Sequence, residues 1–422
     1  MDNTQAQSFD VVIVGAGLAG AALACVIAQG DPQLRIAMVE AQTLSNEAPS
    51  LHNTVQGFDA RVSALTLASQ QLLADIGLWP EIVSQRAAAY RHMRVWDAEG
   101  TGVVDFAAAE VNQACLGYIV ENRITLAALL NRLQSLTNVH FFNPAKVAGL
   151  SESVAALNKR AAGFNNGEQQ RCLDLADGQQ LTAPLIVAAD GANSLLRQQA
   201  GFATREWDYH HHAIVATVQT ELPHQHTAWQ RFLPEGPLAF LPLGGDHQGH
   251  FCSIVWSALP DYTQQLMALN DDEFSQQLAA AFEHKLGAVQ SVSQRYSFAL
   301  RQRHAVDYVQ PGLALLGDAA HSIHPLAGQG INLGFSDVRV LAEELLRARQ
   351  RGLGLGDISL LQRYQRRRKA ENLAMMAAMD GFKQLFGHNN IALRWLRNAG
   401  MHGFNRSPAI KRRVMLSAMG LH

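Results

Sequence analysis

The sequence predicts an α/β chain: a Rossmann-like nucleotide-binding domain, an inserted and mainly antiparallel β-sheet domain, and a helical carboxyl-terminal region. Three observations carry that expectation. Apolar runs at residues 9–14, 185–189 and 313–316 each end in a glycine-bearing turn, as buried parallel strands end at the carboxyl edge of a sheet. Residues 205–300 change character, and the runs at 213–217, 238–241 and 252–256 read as antiparallel strands. Beyond residue 345 the pattern is helical and basic, with Arg363, Arg366, Arg367, Arg368 and Lys369, then Lys411, Arg412 and Arg413. A solvated helix face is the first explanation for such charge.

Length and composition set the bounds. A chain of 422 residues, 48% of them hydrophobic, can bury more than one core, because single cores rarely grow past roughly 250–300 residues. The expected division gives residues 1–80, 116–204 and 301–350 to the nucleotide-binding domain in three passages. Residues 81–115, a hairpin segment, and 205–300 supply the sheet domain, and 351–422 the terminal helices. A net charge of −2 gives no reason to expect a nucleic-acid partner. Cys25, Cys115, Cys172 and Cys252 stand far apart with no C-x-x-C pair, so a reducing setting without disulfides is expected. The cluster His210-His211-His212 has no acid or cysteine at ligand spacing, so no metal is expected there. The first residues lack the layout of a signal peptide, and no apolar run approaches the ~18–20 residues that span a bilayer. The expectation is a cytoplasmic protein, or one peripheral to a membrane surface.

The first turn is the most informative. Residues 9–14 (FDVVIV) run into Gly15-Ala-Gly17-Leu-Ala-Gly20, an apolar helical stretch follows, and a second strand at 35–39 ends at Glu40, twenty residues beyond Gly20. Strand, G-x-G-x-x-G, helix, strand and acid together form the dinucleotide fingerprint. Gly15 permits the tight turn, Gly17 admits a pyrophosphate to the backbone, and Gly20 lets helix and strand pack closely. The helix N-terminus faces the phosphates, and Glu40 can accept from a ribose hydroxyl. An acid at position 40 favours an unphosphorylated ribose, hence FAD or NAD over NADP.

The remaining chain is read in order. Residues 41–58 are polar and loop-like, and Arg61 opens a helical stretch through Leu73. Arg61 reads as a solvated helix-start residue or as one reaching a cofactor; the residues leave both open. Met93, Val95 and Asp97 with Gly100 suggest a hairpin. Arg123 at a helix beginning opposes the dipole and hints at a bound anion. A second strand, 185–189, ends at Asp190-Gly191-Ala-Asn193-Ser194, with Arg197 three residues on. The third turn is the longest: Gly317-Asp318, then His321, His324, Pro325 and Gly328-Gln329-Gly330, before Asn332 begins a long helix with Leu333, Val338, Leu341 and Leu345 on one face.

GAGLAG at 15–20, ADGANSLLR at 189–197 and GDAAHSIHPLAGQGINLG at 317–334 resemble the three signatures of the aromatic flavoprotein monooxygenases of the para-hydroxybenzoate hydroxylase fold. Their order and the intervening sheet domain match too, so the resemblance covers nearly the whole chain. Within that family the stretches at 207–224, 238–243 and 252–257 are similar to the ubiquinone-biosynthesis hydroxylases, in the 2-polyprenylphenol hydroxylase branch. The resemblance implies that Gly15, Gly17, Gly20 and Glu40 hold the ADP half of FAD, and that Gly317-Asp318 meets the ribityl chain. It sets Gly328, Gln329, Gly330 and Asn332 against the flavin's pyrimidine edge and Pro325 near its reactive edge. It brings Arg61 and Arg123 near the cofactor, and ties Asp190, Gly191 and Arg197 to both FAD and a transiently bound NADPH.

The implied chemistry is hydroxylation of a phenol by a flavin C4a-hydroperoxide formed from O2. The cofactor supplies the difficult step, while the protein positions the ring and excludes water. Phenol activation calls for a base, for which His324 and His321 are candidates; a structural role for each stays open. A polyprenylated substrate implies an apolar entry and contact with a membrane or with other ubiquinone-biosynthesis proteins. Phe382, Leu385, Phe386 and Trp395 interleaved with Lys383, Arg394 and Arg397 have the composition of an interfacial helix, or equally of a helix packing a homo-oligomer. The rival readings are a hydroxylase of a soluble phenol and a non-catalytic flavoprotein scaffold.

Overall fold

A computed structural model describes residues 6–44, 50–152, 170–245, 248–322, 330–387, 398, 400 and 403–421, excluding the side chains of 152, 378–380 and 382–387. Six strands form the sheet at the nucleotide-binding end, in the order Val309–Gln310, Leu313–Leu315, Leu185–Ala188, Val11–Val14, Ile36–Val39 and Val139–Phe142. All pairs are parallel except the first. The central strands are apolar at every position because they are enclosed on both faces. Helices Leu18–Gly30, Asn122–Gln134 and Gly330–Gln350 share their core. So does a four-stranded sheet of Gln7–Ser8, Gln180–Ala183, Arg171–Leu175 and Val147–Glu152, through Leu173, Leu175 and Leu181.

The second large sheet runs His321–Ser322, Tyr296–Ala305, Thr204–Thr220, Phe251–Ala258, Gly236–Pro242, Thr227–Leu233, His92–Asp97 and Val103–Ala107, with Val289–Val292 beside Thr204–Thr220. Its pairs are antiparallel except Thr227–Leu233 with His92–Asp97. Side chains alternate between its faces with period two. Ile214, Ala216, Ile254, Trp256, Leu238 and Phe240 turn to one face and pack on helices Pro260–Ala268 and Asp271–Ala281 through Leu266, Phe274 and Leu278. Ala239, Leu241, Phe251 and Val255 turn to the other. There they meet a three-stranded sheet (Val62–Thr66, Gly117–Glu121, Ala87–Tyr90) and Met415 and Met419 of helix Pro408–Ala418.

Three expectations need correcting. Residues 61–65 are not helical: Val62–Thr66 is a strand paired with Gly117–Glu121, and the helix is Leu67–Asp75. The Thr66 side chain accepts from the Ser69 N–H at 3.2 Å and so caps that helix, which fixes its start two residues after Leu65. Helix Trp79–Arg86 buries Ile82 in the nucleotide-binding core, and Ala87–Tyr90 joins the three-stranded sheet, so the chain enters the large sheet only at His92. The basic run on helix Ile358–Gly387 is not wholly solvated, because Arg368 is 1% exposed. Phe382, Lys383, Leu385 and Phe386 lie on that helix without described side chains, and Arg394, Trp395 and Arg397 lie outside the described residues. Among the described residues no helix is long and apolar enough to cross a membrane.

Candidate active site

Three strand ends are stitched together at the carboxyl edge of the six-stranded sheet. The Gly15 N–H donates to the Val39 carbonyl at 2.8 Å, Ala189 N–H to Val14 at 2.7 Å, and Leu316 N–H to Ala188 at 2.9 Å. The glycines are dictated by the closeness of these turns. Gly15 has φ of +103°, and a Cβ there would lie 2.3 Å from the Ala189 carbonyl oxygen. A Cβ on Gly20 would lie 2.0 Å from the Gly15 oxygen. Gly317, with φ of +59°, packs against Ala19 and Gly334, which brings the third turn onto the first helix.

Each turn leaves groups facing outward. At Gly17 an added Cβ would meet nothing within 4 Å, and helix Leu18–Gly30 begins there with neither a side-chain cap nor an acid in its first turn. Its free N–H groups therefore favour an anion. Glu40, half-buried, accepts from Ala16 N–H at 2.8 Å and Gln42 N–H at 2.9 Å, so it braces the same loop. In the second turn Asp190 accepts from Leu195 N–H with one oxygen, while Oδ1 is buried without a partner. Gly191 follows with φ of +80°. Arg197 donates to the carbonyls of Ala319 (2.9 Å) and Ala192 (2.8 Å), tying the second turn to the third.

Beneath the third turn lies a buried ionic chain. Asp337 accepts from Gly317 N–H at 3.2 Å, pairs with His321 Nε2 at 2.6 Å, and takes Arg368 Nε at 2.7 Å. Burial alone would raise the Asp337 pKa, but His321 and Arg368 outweigh it and hold the carboxyl below its usual value. Arg368 continues to Asn372 at 2.8 Å, Asn372 to the Tyr308 hydroxyl at 3.1 Å, and that hydroxyl to His304 Nε2 at 2.8 Å. The hydroxyl accepts from Asn372 and shares a hydrogen bond with His304 Nε2. Burial, then the charges of His321, Lys369 and Arg205, push His304 down to about 4.

Asp318 is exposed yet crowded by protein, which marks a concave setting. Desolvation raises its pKa, with His321 and then Arg61 pulling it back. Arg61 thus reaches the third turn electrostatically, although it precedes a strand and not a helix. Arg123 meets an anion supplied by the chain itself. Its NH2 is 2.7 Å from Glu121, a buried carboxylate that also faces Arg86 at 3.2 Å and accepts from Asp59 N–H at 2.7 Å. The Asn332 side chain accepts from Thr66 N–H (3.0 Å) and Ser69 (2.7 Å) and donates to Ala64 (2.8 Å), pinning the long helix to the three-stranded sheet. Gly330 is the first residue of that helix. His324, Pro325, Gly328 and Gln329 lie outside the described residues.

Ala64 is also a wall of an apolar cavity between the two halves of the molecule, with Tyr90, Met93, Ile119, Ala239 and Leu241. Its free volume is about 20 Å³, room for roughly one water. An aromatic ring therefore enters only if side chains move.

With this geometry established, similarity to known proteins decides the family. The family model described as "FAD binding domain" matches residues 8–379. The chain belongs to that family. It is 37% identical over 98% of its length to the 3-demethoxyubiquinol 3-hydroxylase of Escherichia coli K12, covering 99% of that protein. It is 36% identical to the ubiquinone hydroxylase UbiL of Rhodospirillum rubrum, covering 97% of this chain and 89% of that one. The human ubiquinone biosynthesis monooxygenase COQ6 is 32% identical, with 97% and 92% covered. The p-nitrophenol 4-monooxygenase PnpA of Pseudomonas putida shares the fold with a TM-score of 0.75 at 18% identity, over 98% of both chains. PqsL of Pseudomonas aeruginosa shares it at 0.75 and 20% identity, over 94% of this chain and 100% of that one. The protein is an FAD-dependent monooxygenase of the ubiquinone-biosynthesis hydroxylase group.

The flavoprotein's own residues fit that cofactor. The open cradle at Gly17 suits a pyrophosphate, the orphaned Asp190 oxygen awaits a donor, and exposed Asp318 in a crowded cleft suits a polyol. One expectation changes at this point. His321 is 2% exposed with Nε2 hydrogen-bonded to Asp337, so its ring is enclosed by protein and takes the structural role left open for it. Sequence reasoning missed Asp337, Arg368, Asn372 and Tyr308. A signal existed for two of them. Asp337 interrupts the apolar stripe Leu333, Leu341, Leu345 at four-residue spacing, and Arg368 follows Leu361 and Tyr364 on one buried face.

Proposed function

We propose that this monooxygenase hydroxylates the ring of a polyprenylated phenol on the route to ubiquinone, with NADPH as a transient electron donor. The observation that carries the reading is the apolar cavity whose wall, Ala64, is hydrogen-bonded to the helix leaving the third turn. A phenol ring admitted there by movement of the lining side chains would lie between the sheet and the cofactor-binding edge. Bound FAD supplies reductive activation of O2. In this reading Gly15, Gly17, Gly20 and Glu40 hold the adenosine diphosphate half, with Asp190 and Gly191 beside it. Gly317 and Asp318 meet the ribityl chain; Gly328, Gln329 and Gly330 meet the ring system. Asn332 and Arg123 act as positioning residues, each spent on protein partners. Arg61 offsets the Asp318 charge. Pro325 borders the ring and His324 remains the candidate base. The apolar walls keep water from the reacting oxygen. Supply of such a substrate calls for peripheral membrane contact, supported by exposed Ile410 and Val414 beside Arg412 and Arg413.

The test pairs a prenylated phenol with hydroxybenzoate of the same ring pattern. NADPH oxidation coupled to hydroxylated product is expected with the first, reduced at least about tenfold by Asp318→Ala as FAD is lost. Coupled turnover of hydroxybenzoate alone would establish the soluble-substrate rival, and FAD binding without any product would establish the scaffold.

A further inference from the structure

The cavity does not end where its walls close. We propose that the face of the large sheet continuing outward from it is a binding track for the isoprenoid tail of the substrate, an inference that rests on the polyprenylphenol reading above. The track follows from strand register. Gln230 and Ala239 face each other and line the cavity. Ala239 then faces Val255, Val255 faces Val215, and Val215 faces Tyr296. Adjacent strands lie about 4.8 Å apart, so this one row runs roughly 14 Å from the cavity wall to Tyr296.

Exposure is greater at the outer end of the row than at the cavity. Ala239 is 5% exposed, Val255 and Val215 are half-buried, and Tyr296 is 40% exposed. The neighbouring row brings Ala213 opposite Phe298, which is 47% exposed, and further along Trp207 stands opposite Gln302 at 47%. Positions 296, 298, 300 and 302 of one strand share this face by period two. Tyr296 and Phe298, two residues apart, form an exposed apolar patch on this face, and Leu300 and Gln302 beyond them are 3% exposed. On the two neighbouring strands the opposite face is sealed, with Ile214, Ile254 and Trp256 all at 0% exposure, whereas Ser297 and Ala299 behind Tyr296 and Phe298 are exposed.

Continuity with the cavity selects the occupant. A folded partner could cover Tyr296 and Phe298, but it could not follow the row inward to Ala239. A flexible hydrocarbon chain can do both. Transfer of apolar surface from water onto the row would supply affinity in proportion to tail length.

The test uses full-length, FAD-loaded protein and two phenols with one ring pattern, one bearing a tail of several isoprene units and one bearing none. In Phe298→Asp, KM for the tailed phenol should rise about tenfold or more, with kcat and the tailless phenol unchanged and FAD content normal. A tailed phenol carrying a terminal diazirine should crosslink to peptides containing residues 296–298, whether or not turnover occurs. Equal KM changes for both phenols, or none for either, would overturn the track. So would crosslinks mapping elsewhere, or a change of oligomeric state in sedimentation, which would make the patch a contact between copies. Wild-type protein that crosslinks the tail yet hydroxylates neither phenol would sink the parent reading and leave the track standing.

Discussion

The first and third turns stand at the same sheet edge and are held by opposite means. The turn from Gly15 to Gly20 is shaped by bare backbone contacts, carbonyl against Cα, with Ala189 as its nearest neighbour. The Gly317 turn is tethered by charge, through Asp337 to His321 and to Arg368 on a helix that follows. A turn built from sterics is complete once its strands have paired. A turn built from ions depends on a distant element and stays aligned only while that element is docked.

That contrast can be broken from either side. The largest effect is expected for Gly20→Val, whose new atoms must overlap the Gly15 oxygen. A loss on the order of 4–5 kcal/mol, with no FAD retained, should appear in urea titration. Next, Asp337→Ala takes from buried Arg368 one of its two carboxylates, Glu371 being the other, which costs about 3 kcal/mol. Restoring an apolar pair with Asp337→Leu and Arg368→Met should recover much of that stability. FAD affinity should stay low in the double variant, because the Gly317 N–H has lost its acceptor; full recovery would show that the tether is only a packing device.

The smallest effect sharpens the comparison by pH. His304 is neutral in the folded chain, lowered to about 4, while the unfolded chain takes up a proton near pH 6.5. Its contribution to stability is therefore complete above pH 6.5 and declines as pH falls toward 4. About 2 kcal/mol should be lost by pH 5. Replacing His304 with Gln should flatten that slope, and an unchanged slope would place the titration elsewhere.

The same contrast explains what could be read from the sequence. All three turns place a glycine at the end of an apolar run, so their strand ends were legible whatever holds the turn in place. The chain around Arg61 was not, because VSALTLASQQLL suits a helix as well as a strand; pairing with Gly117–Glu121 decided it. Arg368 was hidden in a run of basic residues of which Arg363 and Arg366 are exposed. Whether one arginine among several turns inward depends on an acid on another helix, and no local pattern reports that. Asn332 was recognised by position, but its partners Thr66 and Ser69 are remote in sequence and known only from the fold.

The place of Leu313–Leu315 beside Leu185–Ala188 has a consequence for biosynthesis. Until that late strand leaves the ribosome, an apolar sheet edge stands unpaired, an invitation to aggregate. The emerging polypeptide must wait for most of its length before the prosthetic group finds a complete seat. Nascent chains stalled before residue 313 should therefore need chaperone cover, and flavin supply should govern yield only after that point.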